Sequence, residues 1–144
     1  MTRILVPPAC AAVDVAAGSR DEAAEKAADL LRSDPHIGSW EAFRASIGAR
    51  QIVDLEGCAS GVCLVHGRSD AVKGLAVAVA RTAGGSGCCP RLVFVFAIPS
   101  AMAEEYLRAI GSLARACRDQ AVLQTLLDAP DAANLARRVE KLLA

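Results

Sequence analysis

The chain has 144 residues, the size of one domain with a single core, so two packed domains are not expected. Its 16 Lys+Arg balance 16 Asp+Glu, and aromatics make up 3%, which leaves neither a dominant basic charge nor a set of stacking platforms for nucleic acid or an anionic membrane. Hydrophobic residues reach 53%, but 30 of them are alanines, a bias that favours helices. Thirteen of the 16 cations are Arg, whose planar fork suits phosphate and carboxylate, although high-GC codon usage alone produces the same Ala and Arg excess.

The first eight residues carry one charge and three apolar side chains before two prolines, which makes no signal-peptide core; a cytoplasmic location is expected. No apolar run approaches the roughly 20 residues that span a bilayer, so membrane insertion is not expected. Ser19-Arg20-Asp21-Glu22 is a capping-box pattern. With Ala23, Ala27, Leu30 and Leu31 recurring after it at helical spacing, it predicts a first helix from about 20 to about 32. Pro35, His36 and Gly38 break it. A second helix is expected after Ser39, with Trp40, Phe43 and Ile47 on one face, ending near Arg50.

Residues 54 to 61 read as a loop leading into Val62-Cys63-Leu64-Val65, a buried strand that ends at His66. Residues 75 to 81, where Leu75, Val77 and Val79 alternate with alanines, and the wholly apolar 92 to 98 read as central strands buried on both faces. Helices are therefore expected on both sides of the sheet. Residues 82 to 91, with Gly84, Gly85 and Gly87, form the loop between them. Pro99 and Ser100 stop the strand and open a third helix with Leu107, Ile110, Ala114 and Cys117 as its core stripe. Two short helices follow, one opening at Asp119 with Val122, Leu123 and Leu126 inward, and one after Pro130-Asp131 with Leu135, Val139 and Leu142 inward. The order is helices, strands, helices, without repeats or linkers, over one domain of residues 1–144.

Six cysteines in a reducing compartment read as core hydrophobes or loop thiols. A zinc site from Cys58, Cys63, His66 and the Cys88-Cys89 pair matches no common knuckle spacing, and vicinal cysteines do not readily share one ion. Neither metal nor cofactor is expected. The glycines at 84, 85 and 87 precede a strand and lack the Lys-Ser/Thr of a phosphate-binding loop. Cys63, inside an apolar strand, is expected to be inert, and Glu104-Glu105 to favour the third helix's dipole. Of the two histidines, His36 reads as an exposed turn residue. His66, at a strand end and followed by Gly67 and Arg68, has two open readings. Either it is a strand-end histidine without function, or the strand holds the imidazole, the glycine admits a backbone or a phosphate, and the arginine binds an anion.

Several strings recur in order: Ile4-Leu5-Val6-Pro7, the helix start at 19 to 23, the helix at 43 to 50, Gly61 through Arg68, the strand at 92 to 99, and Glu105-Tyr106-Leu107 opening the next helix. Over nearly the whole chain they resemble the enzyme IIA domain of the mannitol/fructose class of the bacterial phosphoenolpyruvate-dependent phosphotransferase system. That class includes stand-alone nitrogen-related regulatory IIA proteins. The resemblance implies an α/β fold, a three-layer α/β/α sandwich on a mixed sheet. It also implies that His66 accepts a phosphoryl group from the histidine phosphocarrier protein, and that Arg50 points at the phosphate. Arg68 and Tyr106 are further expected phosphate contacts, and a separate IIB/IIC permease or a regulatory target the onward partner. A neutral imidazole is a good nucleophile near pH 7, and an arginine offsets charge on the transferring oxygens.

Four positions depart from the family pattern: Val65 where proline usually precedes the histidine, Gln51 where glutamate follows the arginine, acidic residues Asp54 and Glu56 with Cys58 in a loop usually rich in Ser, Thr and Gly, and Tyr106 in place of a second histidine. The same features leave a rival reading, a IIA-like protein-interaction domain that transfers no phosphate.

Overall fold

The computed structural model describes residues 4–47, 52–54, 61–83, 90–101 and 103–143. After a short 3-10 turn at Pro8–Cys10 the chain forms strand β1 (Ala11–Val15) and helices α1 (Arg20–Asp29) and α2 (Trp40–Ser46). Strands β2 (Ile52–Asp54), β3 (Val62–Ser69), β4 (Ala76–Thr82) and β5 (Leu92–Pro99) follow, then helices α3 (Ala103–Arg118), α4 (Gln120–Leu127) and α5 (Ala132–Leu143). The strands form one mixed sheet in the order β1-β4-β5-β3-β2. β1 runs parallel to β4 and β3 to β5, while β4–β5 and β2–β3 are antiparallel.

Capping chemistry sets the helix starts. The Ser19 hydroxyl accepts from the Glu22 amide, Ser39 from Ala42, and the Asp119 carboxylate from Ala121 and Val122. Asp131 does the same for Asn134 ahead of α5, and these bonds hold its carboxyl below the usual carboxylate range. α1 ends at Asp29, short of the expected 32, where the chain tightens into turns with Leu30 and Leu31 bonding back to Ala27 and Ala28. α2 ends at Ser46 because Ile47 is already extended, so the expected helix to Arg50 stops a turn early; Arg50 itself lies outside the described residues.

The two faces of the sheet differ in bulk, and the alternation inside β4 explains why. Val77 and Val79 face one way with Phe94, Phe96, Leu64 and Val62, against Leu113 and Cys117 of α3, Leu123 and Leu126 of α4, and Leu135 and Val139 of α5. Ala76, Ala78 and Ala80 face the other way with Val93, Val95 and Ala97, against the alanines of α1 and Phe43 of α2. Small side chains on both partners let α1 lie close to the sheet; the large ones opposite support three helices. The layers are therefore α1/α2, sheet, and α3/α4/α5.

Two strands escaped the sequence reading. β1 has five residues and β2 three, and each exists by pairing: Ala11 with Val79 and Ala12 with Ala80, and Ile52 through Asp54 with Val65 through Cys63. Three steps along β1 from Ala12 to Val15 match two along β4, an extra residue that places Asp14 at φ 55°, a left-handed conformation Asp tolerates. The expected loop from 54 is thus already in the sheet at Asp54, and a strand precedes the first helix. β3 also runs on to Ser69 rather than ending at His66. On α3 the expected core stripe holds at Ile110, Ala114 and Cys117 but not at Leu107, which is 64% exposed; Tyr106, Ala109 and Leu113 join the stripe in its place. α5 likewise buries Leu143 more completely than Leu142.

Candidate functional site

His66 is the fifth residue of β3, in register with Phe96 of β5. Strand alternation puts Leu64, His66 and Arg68 on the face covered by α3, and Val65 and Gly67 on the face covered by α1 and α2. The imidazole is partly buried. Its Nδ1 is fully buried without a hydrogen-bond partner among the described residues, while burial holds the ring's pKa below the ordinary imidazole value. An unpaired buried polar atom costs about 1–3 kcal/mol, and with Nδ1 enclosed the other ring nitrogen, Nε2, is the one left for chemistry. For Nε2 to carry a free lone pair the proton sits on Nδ1, and the lowered pKa keeps that neutral form populated near pH 7.

Three rings close around this point. The centroids of His66 and Tyr106 lie 5.6 Å apart with the planes tilted by 33°, and Tyr106 meets Phe96 edge-on at 5.5 Å and 70°. Tyr106 reaches this position from the first turns of α3, and burial raises its hydroxyl pKa, so it remains a neutral donor. Glu104 and Glu105 precede it in the first turn, where they complement the helix dipole as the sequence suggested.

Arg68 stands two residues beyond His66 on the same face, and its exposed side chain folds across to β5: Nε donates to the Ser100 carbonyl at 3.1 Å and Nη2 to the same oxygen. The guanidinium thereby ties the end of β3 to the turn that opens α3, with the rest of its fork still open to an anion. Of the two alternatives its place beside His66 suggested, Gly67 meets the close approach of another part of the chain. It faces α2, where a Cβ would lie 2.9 Å from Ile47 Cγ1 and 3.1 Å from Phe43 Cε1, and would also strike the Ser46 hydroxyl. The glycine admits a helix.

Arg50, Gln51, Glu56 and Cys58 lie outside the described residues, as do Cys88 and Cys89 of the considered thiol site. Asp54 closes β2 opposite Cys63. Cys10, Cys63 and Cys117 are buried. Among the described residues no three His, Cys, Asp or Glu side chains group as a metal site.

His36 is engaged more than a turn histidine need be, and Asp34 is the residue sequence reasoning missed. Asp34 is 9% exposed; its Oδ1 accepts from the His36 amide and contacts His36 Nδ1, both at 2.8 Å, and its Oδ2 accepts from Cys10 Sγ at 3.5 Å. Desolvation, then the neighbouring Asp34 charge and hydrogen bond, push the Cys10 thiol up to about 12, so this cluster is a structural tie and not a nucleophile. The Asp34-Pro35 turn signal was the available clue.

With the geometry in place, the chain can be set beside known proteins. A family model described as "Phosphoenolpyruvate-dependent sugar phosphotransferase system, EIIA 2" matches residues 5–141. Among solved structures, the nitrogen regulatory protein IIA-Ntr from Neisseria meningitidis superposes with a TM-score of 0.72 at 24% identity, over 96% of this chain and 95% of that one. The mannitol IIA from Escherichia coli gives 0.66 at 19% identity, over 96% and 98%. The enzyme IIA–phosphorylated enzyme IIB mannitol complex from the same organism gives 0.65 at 16%, over 97% of each chain. These likenesses are of fold. No curated protein matches the chain by sequence.

Proposed function

The chain belongs to the EIIA 2 family of the phosphoenolpyruvate-dependent sugar phosphotransferase system, and from that premise we propose that His66 is its phosphoryl acceptor, within one IIA-like domain spanning residues 1–144. Family membership makes it a IIA-like phosphoryl carrier or regulator. The observation that supports His66 is a neutral imidazole held in a central strand with Nδ1 sealed, which leaves Nε2 to react. The histidine phosphocarrier protein is the proposed donor. The Nε2 lone pair attacks phosphorus, the donor's N–P bond breaks, and its electron pair returns to the donor ring while the Nδ1 proton stays in place. The free part of the Arg68 fork and the Tyr106 hydroxyl offset charge on the equatorial oxygens, with Arg50 the third proposed contact. A N–P bond formed this way is labile enough to be passed to a IIB partner or read by a regulatory target.

This chemistry needs no cofactor and, among the described residues, no helix is long and apolar enough to cross a membrane. A cytoplasmic site of action is part of the proposal. Incubation with phosphoenolpyruvate, enzyme I and the phosphocarrier protein should give an acid-labile phosphate that His66→Ala removes. Failure to label the folded protein with a cognate donor would refute the carrier reading. One observation favours the rival, an interaction domain without transfer: Arg68 is already engaged by the Ser100 carbonyl. That reading expects partner affinity to be unchanged in His66→Ala.

A further inference from the structure

Nothing among the described residues hydrogen-bonds the buried nitrogen of His66, so no polar anchor fixes which edge of the ring faces out. The torsion that turns an imidazole about its Cβ–Cγ bond is broad and two-fold, and without an anchor it would exchange Nδ1 with a ring carbon. Orientation has to come from packing. Phe96 is fully buried and lies beside His66 in register on β5, while Tyr106 lies over the imidazole and edge-on to Phe96, so the three rings brace one another. At a tilt of 33° and 5.6 Å between centroids, a quarter turn of the imidazole would drive its edge toward the Tyr106 ring. Tyr106 is in turn set by the start of α3, which the Arg68 bonds to the Ser100 carbonyl hold against the end of β3.

We propose that Tyr106 is a positioning residue: its ring, not its hydroxyl, holds the His66 imidazole so that Nδ1 stays sealed and a phosphoryl group reaches Nε2 alone. The inference deepens the carrier reading but rests on packing that exists without any partner. It also accounts for a bulky aromatic at the position where the family commonly has a second histidine. A smaller side chain would leave the ring face open to water and both nitrogens within reach.

The test uses the purified full chain and phosphoramidate, a small phosphoryl donor that needs no partner protein. Nε2 attacks phosphorus, the P–N bond of the donor breaks, and ammonia leaves. The isomer formed is read by phosphorus NMR, and the His66 tautomer and titration by nitrogen NMR of labelled imidazole, which require no phosphorylation. The wild type and Tyr106→Phe should form the Nε2 isomer alone, with the same tautomer and the same lowered titration midpoint. Tyr106→Ala should give comparable amounts of both isomers and a midpoint that rises toward the ordinary value of about 6.5. If Tyr106→Ala fails to fold, Tyr106→Leu, which keeps bulk without a flat ring, is expected to give the same mixture. A single isomer and unchanged midpoint in the folded Ala or Leu variant would overturn the proposal, as would a Phe variant that behaves like Ala. Should the cognate phosphocarrier give no label while phosphoramidate and the titration behave as expected, the carrier reading falls and the role of Tyr106 stands.

Discussion

Replacing Gly67 by alanine tests whether the glycine beside His66 serves packing or chemistry. An added Cβ would sit 2.9 Å from Ile47 Cγ1 and 3.1 Å from Phe43 Cε1, against an ordinary carbon separation of about 3.5–4.0 Å. Phe43 is fully buried and cannot swing into solvent, and Ile47 is partly buried against the same cluster, so α2 must back away from β3 by roughly half an ångström or more. Overpacking of this kind costs about 1–3 kcal/mol, and losing a glycine from a strand returns about 0.5–1, leaving a net loss of about 1 kcal/mol at the middle of the two ranges and about 2.5 at most. With a urea slope of about 1–3 kcal/mol per molar, the unfolding midpoint should fall by about half a molar to one molar. Trp40, the only tryptophan, opens α2 and packs against Phe43 at 5.8 Å, so its emission should report both the shift of the native helix and the earlier transition. A midpoint equal to the wild type's with unchanged Trp40 emission would refute the packing argument. Loss of phosphoryl acceptance without loss of stability would instead show that the glycine serves the phosphate.

The lowered His66 pKa ties stability to pH with a definite sign. As pH falls through about 6.5 the unfolded chain takes up a proton that the native ring refuses. The contribution is complete above that value and is lost as pH drops toward the folded pKa. His66→Gln, compared with the wild type by urea unfolding at pH 7.5 and about 5.5, should therefore lose less stability on acidification; equal losses would show that His66 titrates normally. Arg81 donates from Nη1 to the carbonyls of Leu126, Leu127 and Ala129 at 3.1, 3.0 and 2.7 Å, binding the carboxyl end of α4 to β4. Arg81→Met keeps the apolar stem and removes these charge-assisted bonds, so it should cost about 2 kcal/mol and speed amide exchange in the last turn of α4. Unchanged exchange there would show that the contact holds nothing.

Local chemistry was legible in the residues themselves. Ser19, Ser39, Asp119 and Asp131 accept amide bonds where their positions suggested, because a cap is made within three residues of itself. The doubly buried β5 and the Val/Ala alternation of β4 likewise fixed two central strands, since side-chain alternation is a property of a single strand. The ordered strings around His66 pointed to the family that the chain matches over residues 5–141.

Partners distant in sequence decided the rest. β1 and β2 are too short to show a period of their own and form only against β4 and β3. Which side of α3 meets the sheet depends on the shape of the face beneath it, so Leu107 points outward and Tyr106 inward, against the apolar count along the helix. That orientation puts Tyr106 over His66, and the placement of α2 seats Phe43 and Ile47 against Gly67. The sequence by itself determined the elements with local signals and the histidine to examine. Only the folded sheet, by bringing residues 66, 96 and 106 together, decided which nitrogen is buried and which rings lie around it.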